Sequence, residues 1–381
     1  MTSKKNQENI GTLRNTIKTS KKVAAFVGAG TSRVLGIKTW RDVLSEMAEA
    51  FEVDFDVIDQ IKRHGYSKTA SIIFNTKNDL DFYLNFLSSQ FVPTSGTHYS
   101  VHFKILNTFK VVLTTNYDTS FESVHADINR ALEMRGVQRE SLGIQKLPNF
   151  RVTDIHMNPT TIVYLHGNND DRVFIFREEE YMNYYPSIYN SGNMNSPLES
   201  FIRDICREFT LVFIGFSFDD QDFVSFYKRV LKEEFISEKE IFLKLYNKEH
   251  PVSELPKHYA VISEEDIKET VSKTEIYNAL GNNNNAFQRI FENWDSEKEL
   301  VFSKNAEIVI NGLELLPNQK EEIIEKFSKH KRNGERLELF RDLGIKLITF
   351  RGSDYNHIEN ILIQLQQDLS VGNLEEAASA K

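Results

Sequence analysis

Four compact apolar runs, each ending in small or polar residues, constrain this chain more than any other feature: KKVAAFVGAG at 21–30, KVVLTTNYD at 110–118, TIVYLHG at 161–167 and TLVFIGFSFDD at 210–220. Short apolar runs bounded by small residues are the mark of strands buried on both faces. Helical stretches lie between them, notably 39–51, 119–135, 197–208 and 221–235. In TWRDVLSEMAEAF the residues Trp40, Val43, Leu44, Met47 and Phe51 share one helical face, with Thr39 as N-cap. This alternation predicts an α/β fold, a Rossmann-like, mostly parallel sheet with helices on both faces, plus helical insertions. IFLKLYN at 241–247, HYAVIS at 258–263 and LGIKLITF at 343–350 read as further strands, and HIENILIQLQQDL at 357–369 as an amphipathic last helix.

A length of 381 residues suits one large domain with an insertion, or two domains. The main domain is expected over 1–263 and 336–371, with a helical module at about 53–91. Residues 264–335, with a GNNNN run at 281–285 and the charged stretch NQKEEIIEKFSKHKR, break the alternation and read as an insertion or partner-binding subdomain. The tail at 372–381 has no core pattern and is expected to be flexible.

Composition narrows the function classes. Lys and Arg number 46 against 55 Asp and Glu, a formal charge of -9, so bulk attraction to polyphosphate does not organise the chain and no direct nucleic-acid site is expected. The single cysteine, Cys206, rules out an intrachain disulfide and an all-protein cysteine zinc site. The opening MTSKKNQENIGTLRN has no apolar core and no later run approaches a membrane span, so a cytoplasmic protein without membrane attachment is expected.

The loop Gly28-Ala29-Gly30-Thr31-Ser32 follows the first strand, where bare backbone can approach a phosphate with its N–H groups pointing outward. A nucleotide site is one reading, and a glycine turn made for packing is the other. The redox dinucleotide pattern needs a third glycine at 33, where this chain has Arg33, and the phosphate-loop pattern of nucleoside triphosphatases is absent. His98 and His102 have a helical metal-binding spacing, but Tyr99 stands where the accompanying glutamate would be, which favours a packed helix.

Taken in order, GAGTSRVLGIKTWR at 28–41, TTNYD at 114–118, LHG at 165–167 and GFSFDD at 215–220 resemble the sirtuin family. Gly28, Ala29, Gly30, Ser32, Gly36, Ile37 and Arg41 match its first element, while Lys38 replaces the usual proline and Trp40 the usual phenylalanine. Thr114, Asn116 and Asp118 fit the second, with Thr115 and Tyr117 departing from it. The resemblance makes His166 the active-site histidine and Gly215 and Ser217 nucleotide contacts; with Thr31, Arg41 and Asp118 these complete the expected binding set. One cysteine cannot supply the four-cysteine zinc module of deacetylase sirtuins, so no zinc is expected and NAD is expected as substrate.

The chain is similar instead to the bacterial branch that degrades NAD during phage infection. That likeness implies an NAD glycohydrolase acting as a homo-oligomer or with an ATPase of the HerA type, or in second place with an Argonaute-type protein. Asn116 would position water or the ribose hydroxyls and His166 would act as general base. Asp118 suits helix capping and ligand orientation equally. Two other functions stay open: a non-catalytic NAD or ADP-ribose sensor governing a partner, and a protein ADP-ribosyltransferase.

Overall fold

The computed structural model describes residues 3–20, 22–94, 99–138, 141–158, 160–189, 196–231, 258–268, 278–280, 316–352 and 357–367. The chain divides into two compact units, Met1–Val261 with Ile345–Ile348 and Asp354–Lys381, and Ile262–Gly344 with Thr349–Ser353.

Helix α1 (Ser3–Thr19) leads into β1 (Val23–Val27), whose five residues are all buried. After the glycine loop come helices α2 (Trp40–Ala50), α3 (Val57–His64), α4 (Tyr66–Lys77), α5 (Leu80–Gln90) and α6 (Ser100–Thr108). Strand β2 (Val111–Thr114), helix α7 (Ser120–Met134), β3 (Leu142–Lys146), α8 (Val152–Met157) and β4 (Thr160–Tyr164) follow. A short antiparallel pair, β5 (Gly167–Asn168) with β6 (Val173–Phe174), precedes α9 (Glu178–Tyr184), α10 (Pro186–Tyr189) and α11 (Pro197–Glu208). The chain continues through β7 (Thr210–Ile214), α12 (Gln221–Arg229), β8 (Tyr259–Ser263), α13 (Pro317–Asp342), β9 (Lys346–Phe350) and α14 (His357–Gln366).

The seven strands of the main sheet run in the order β3-β4-β2-β1-β7-β8-β9. Strand β1 is parallel to both β2 and β7, and β4 is parallel to β2 and β3, as the alternating pattern predicts. Every residue of β1, β2, β4, β7 and β8 is buried, because both faces of the sheet are covered by helices. From β1 the chain moves to β2 on one side and later returns to β7 on the other. Such a reversal of strand order opens a crevice at the carboxyl ends of the strands.

Local signals explain the helices. Thr39 caps α2 reciprocally with Asp42: Asp42 N–H donates to Thr39 Oγ1 over 3.4 Å, and Thr39 N–H to Asp42 Oδ2 over 3.1 Å. Ser196 and Glu199 form the same box at α11, and Asp220 caps α12 through Phe223 N–H. The buried faces of α2 to α5 share a core that reaches Tyr117, Phe174 and Phe176.

In the second unit α13 is tied to the turn after β8: Asn333 Nδ2 donates to Glu265 O and Lys268 O, and Arg336 Nη1 to Asp266 O.

Strand β3 was invisible to the apolar pattern, because LGIQK is an edge strand carrying Gly143 and only Gln145 is buried. The strand expected at 241–247, the end of the helix expected to reach 235, the GNNNN run and the 372–381 tail lie outside the described residues.

Candidate active site

The glycine loop winds into two short 3-10 turns, Ala29–Thr31 and Arg33–Leu35, before α2 begins. This turns most of its amides inward, where the sequence led us to expect them pointing out. Gly28 N–H donates to Ile214 O, Gly30 N–H to Gly215 O, Thr31 N–H to Gly28 O and Ser32 N–H to Ala29 O. The Ala29 N–H has no partner among the described residues, and Ala29 lines a cleft.

Two of the glycines are demanded by close approach. A Cβ on Gly28 would lie 2.6 Å from Phe216 Cα, and one on Gly215 would lie 2.7 Å from Thr31 N. Gly215 also sits at φ 63, a left-handed conformation that glycine adopts without strain. Both glycines therefore seat the loop after β1 on the loop after β7. Thr31 is fully buried and donates through its hydroxyl to Gly28 O, so it shapes the loop from inside.

Strand β2 delivers the polar centre. Thr114 Oγ1 accepts from Asn116 N–H at 3.0 Å, which turns the chain just past the strand end. Asn116 Nδ2 then donates to Gly28 O at 3.2 Å and to Ser32 Oγ at 3.0 Å. Ser32 Oγ in turn donates to Asp118 Oδ2 at 2.8 Å. Both Nδ2 hydrogens being used, Asn116 keeps Oδ1 as an acceptor with no partner among the described residues. Asp118 Oδ1 accepts from Ser120 N–H at the start of α7, while Oδ2 accepts from Ser32 Oγ.

Ala29, Ser32, Asn116 and Asp118 line a small open cleft whose other walls include Lys38, Trp40, Phe91 and Tyr117. Trp40 stacks on Phe176 with ring centroids 4.3 Å apart, so it serves the core and the cleft together. Lys38, which stands where sirtuins carry proline, bonds to Glu46 and Gln90 at the rim.

The remaining expected residues do not line this cleft. His166 follows β4 and is 1% exposed, enclosed by the rings of Tyr181, Tyr185 and Phe223. Its Nε2 lies 2.8 Å from the Tyr185 hydroxyl, and burial lowers its pKa to about 3, which keeps the imidazole neutral. Gly30 and Gly215 act through packing, Arg41 lies in the first turn of α2, and exposed Ser217 accepts from Asp219 N–H. Tyr185 and the α9 segment were missed, and their only sequence signal is the aromatic spacing of EEEYMNYYPSIY at 178–189.

His102 is buried against Phe121, and neither ring nitrogen has a partner among the described residues; His98 lies outside them. Among the described residues no group of three or more His, Cys, Asp or Glu converges to hold a metal ion, and no helix is long and apolar enough to cross a membrane.

Residues 110–282 match the family model described as a SIR2-like domain. The match takes in Asn116, Asp118, His166 and Gly215, leaves the glycine loop outside, and supports a Sir2-type relationship over less than half of the chain. No protein of curated function matches. The SIR2-like segment and the cleft's donors and acceptors fit NAD as substrate.

Proposed function

We propose that the chain is an NAD glycohydrolase that releases nicotinamide and ADP-ribose, or a cyclised product, and that it depletes NAD in anti-phage defence. The observation carrying this reading is the Ser32-Asn116-Asp118 network, which gathers the first two motifs at the carboxyl ends of β1 and β2. Nicotinamide departs neutral from a pyridinium, so the bond electrons go to the ring nitrogen without a general acid. What remains is to stabilise the cationic ribose and deliver water to C1′. The Asn116 Oδ1 acceptor suits a ribose hydroxyl or that water, and the Ala29 N–H suits a phosphate or carboxamide oxygen. Neutral His166 would take the proton lost by the attacking water.

Homo-oligomerisation, a HerA-type ATPase partner, a cytoplasmic location and partner contacts on 264–335 belong to the same proposal. A constitutive NAD hydrolase would harm its host, so gating through assembly is expected.

A non-catalytic NAD or ADP-ribose sensor is the second reading, favoured by one observation: His166 is enclosed and its Nε2 is occupied by Tyr185. The test is to incubate the purified chain with NAD, alone and with a candidate ATPase, and to follow nicotinamide and ADP-ribose beside Asn116→Ala and His166→Ala. Release that both variants lose supports the hydrolase. Binding without release in either setting supports the sensor.

A further inference from the structure

Tyr185 stands between α9 and α10, fully buried, and the proposed reaction gives it no task. Its hydroxyl carries one hydrogen, and His166 Nε2 is its polar partner among the described residues. The imidazole offers that contact from a fixed orientation, with the Tyr181 ring edge-on at 5.5 Å and Phe223 at 6.5 Å. His166 Nδ1 makes no hydrogen bond among the described residues and is not one of the fully enclosed unpaired atoms, so water can reach it.

A neutral imidazole has one donor nitrogen and one acceptor nitrogen. If Nε2 carried the hydrogen it would donate to the phenol oxygen, and the phenolic hydrogen would be stranded in an apolar enclosure. A buried donor left unpaired costs about 1–3 kcal/mol. If the phenol donates to Nε2, the phenolic hydrogen is paired and the imidazole hydrogen sits on Nδ1, where water can accept it. Burial holds the Tyr185 pKa well above the ordinary phenol value, so the phenol retains the hydrogen it donates.

We propose that Tyr185 is a positioning residue which donates to His166 Nε2, fixes the Nδ1–H tautomer, and so keeps Nδ1 without a free lone pair in a resting arrangement. The proposal rests on His166 being the base of NAD cleavage. For His166 to accept a proton at Nδ1, the ring hydrogen must first pass to Nε2, and the phenol must leave Nε2 for that to happen. The segment carrying Tyr185 is also tied to acidic side chains: Tyr181 Oη donates to Asp220 Oδ2 at 2.7 Å, Ser187 Oγ to Glu199 Oε1 at 2.5 Å and Tyr189 Oη to Asp222 Oδ1 at 2.6 Å. Freeing the base is therefore coupled to the acidic side chains at the starts of α11 and α12.

The experiment is nitrogen NMR of the full chain labelled at histidine, with the His166 signals assigned by their loss in His166→Ala. The expected wild-type spectrum has Nδ1 protonated and Nε2 bare, and Tyr185→Phe, which removes only the hydroxyl, shifts the ring toward Nε2–H. Nicotinamide release is read on the same proteins and rises several-fold in Tyr185→Phe. A wild-type ring protonated at Nε2, or a ring unchanged in the variant, overturns the tautomer assignment. Release that stays level or falls in the variant while the wild type cleaves NAD overturns the withholding of the base. If the tautomer shifts as expected and neither protein cleaves NAD, the positioning stands and the glycohydrolase reading falls. Should Tyr185→Phe fail to fold, the wild-type spectrum alone decides the assignment.

Discussion

Ser32 donates its hydroxyl hydrogen to Asp118 Oδ2 across 2.8 Å, joining two segments 86 residues apart, and in doing so offers its oxygen to Asn116 Nδ2. The serine is 1% exposed and the aspartate 3%, so this is a pairing inside the protein at the wall of the cleft. The glycine loop and the end of β2 thus share one hydrogen-bonded unit, in which each group orients the next.

Ser32→Ala removes a donor from a buried carboxylate and an acceptor from an amide. Stranding such partners costs about 1–3 kcal/mol, so the urea midpoint is expected to fall accordingly. Loosening Asn116 and Asp118 is expected to lower NAD turnover by up to about 100-fold, since small misplacements of orienting groups carry costs of that size. Ser32→Ala with full turnover would remove the network from the proposed mechanism.

Asn116→Asp keeps the size of the side chain but replaces two donor hydrogens with a carboxylate facing Gly28 O and Ser32 Oγ. Loss of NAD turnover with the fold retained in circular dichroism is expected. Equal turnover by the two proteins would argue against an orienting amide.

Gly215→Ala should unfold the protein at lower denaturant than the wild type. A residue other than glycine at φ 63 carries about 1–2 kcal/mol of strain, and the added carbon would meet Thr31 N at 2.7 Å. The urea midpoint measures the loss. An unchanged midpoint would show that the two loops can separate freely.

Stability should fall with acid. Burial lowers the pKa of His166 to about 3 and those of His102 and His258 to about 4, from an ordinary 6.5. The unfolded chain therefore binds protons first as the pH drops. Stability from these neutral histidines is complete above pH 6.5 and is lost as the pH falls toward 4 for His102 and His258 and toward 3 for His166. Asp220 works the other way: burial lifts its pKa from 3.8 to about 6, so acid relieves a cost there. Burial likewise raises Glu122 and Glu180, whereas hydrogen bonds from Lys146 and Lys22 hold Asp171 and Glu208 low, so with the three buried histidines the net slope is expected to be destabilising. Urea midpoints measured at several pH values test the sign, and His102→Phe should flatten the slope.

The sequence by itself determined the α/β architecture. Apolar runs such as VAAFV and TLVFI can satisfy their backbone only in a ladder and their side chains only under helices on both sides, and that logic is local. It also marked the ends of the strands, because Gly28, Asn116, His166 and Gly215 each interrupt an apolar run. Edge strand β3, half exposed and broken by Gly143, carries too little of that pattern to be read. The tertiary structure alone decided which of the marked residues meet. The register of β1 between β2 and β7 brings Ser32 to Asp118 and Gly28 to Gly215, contacts across long loops that no local propensity encodes. It likewise put Tyr185 against His166, because helix packing set where a tyrosine outside every motif would point, and so which nitrogen of the imidazole is engaged.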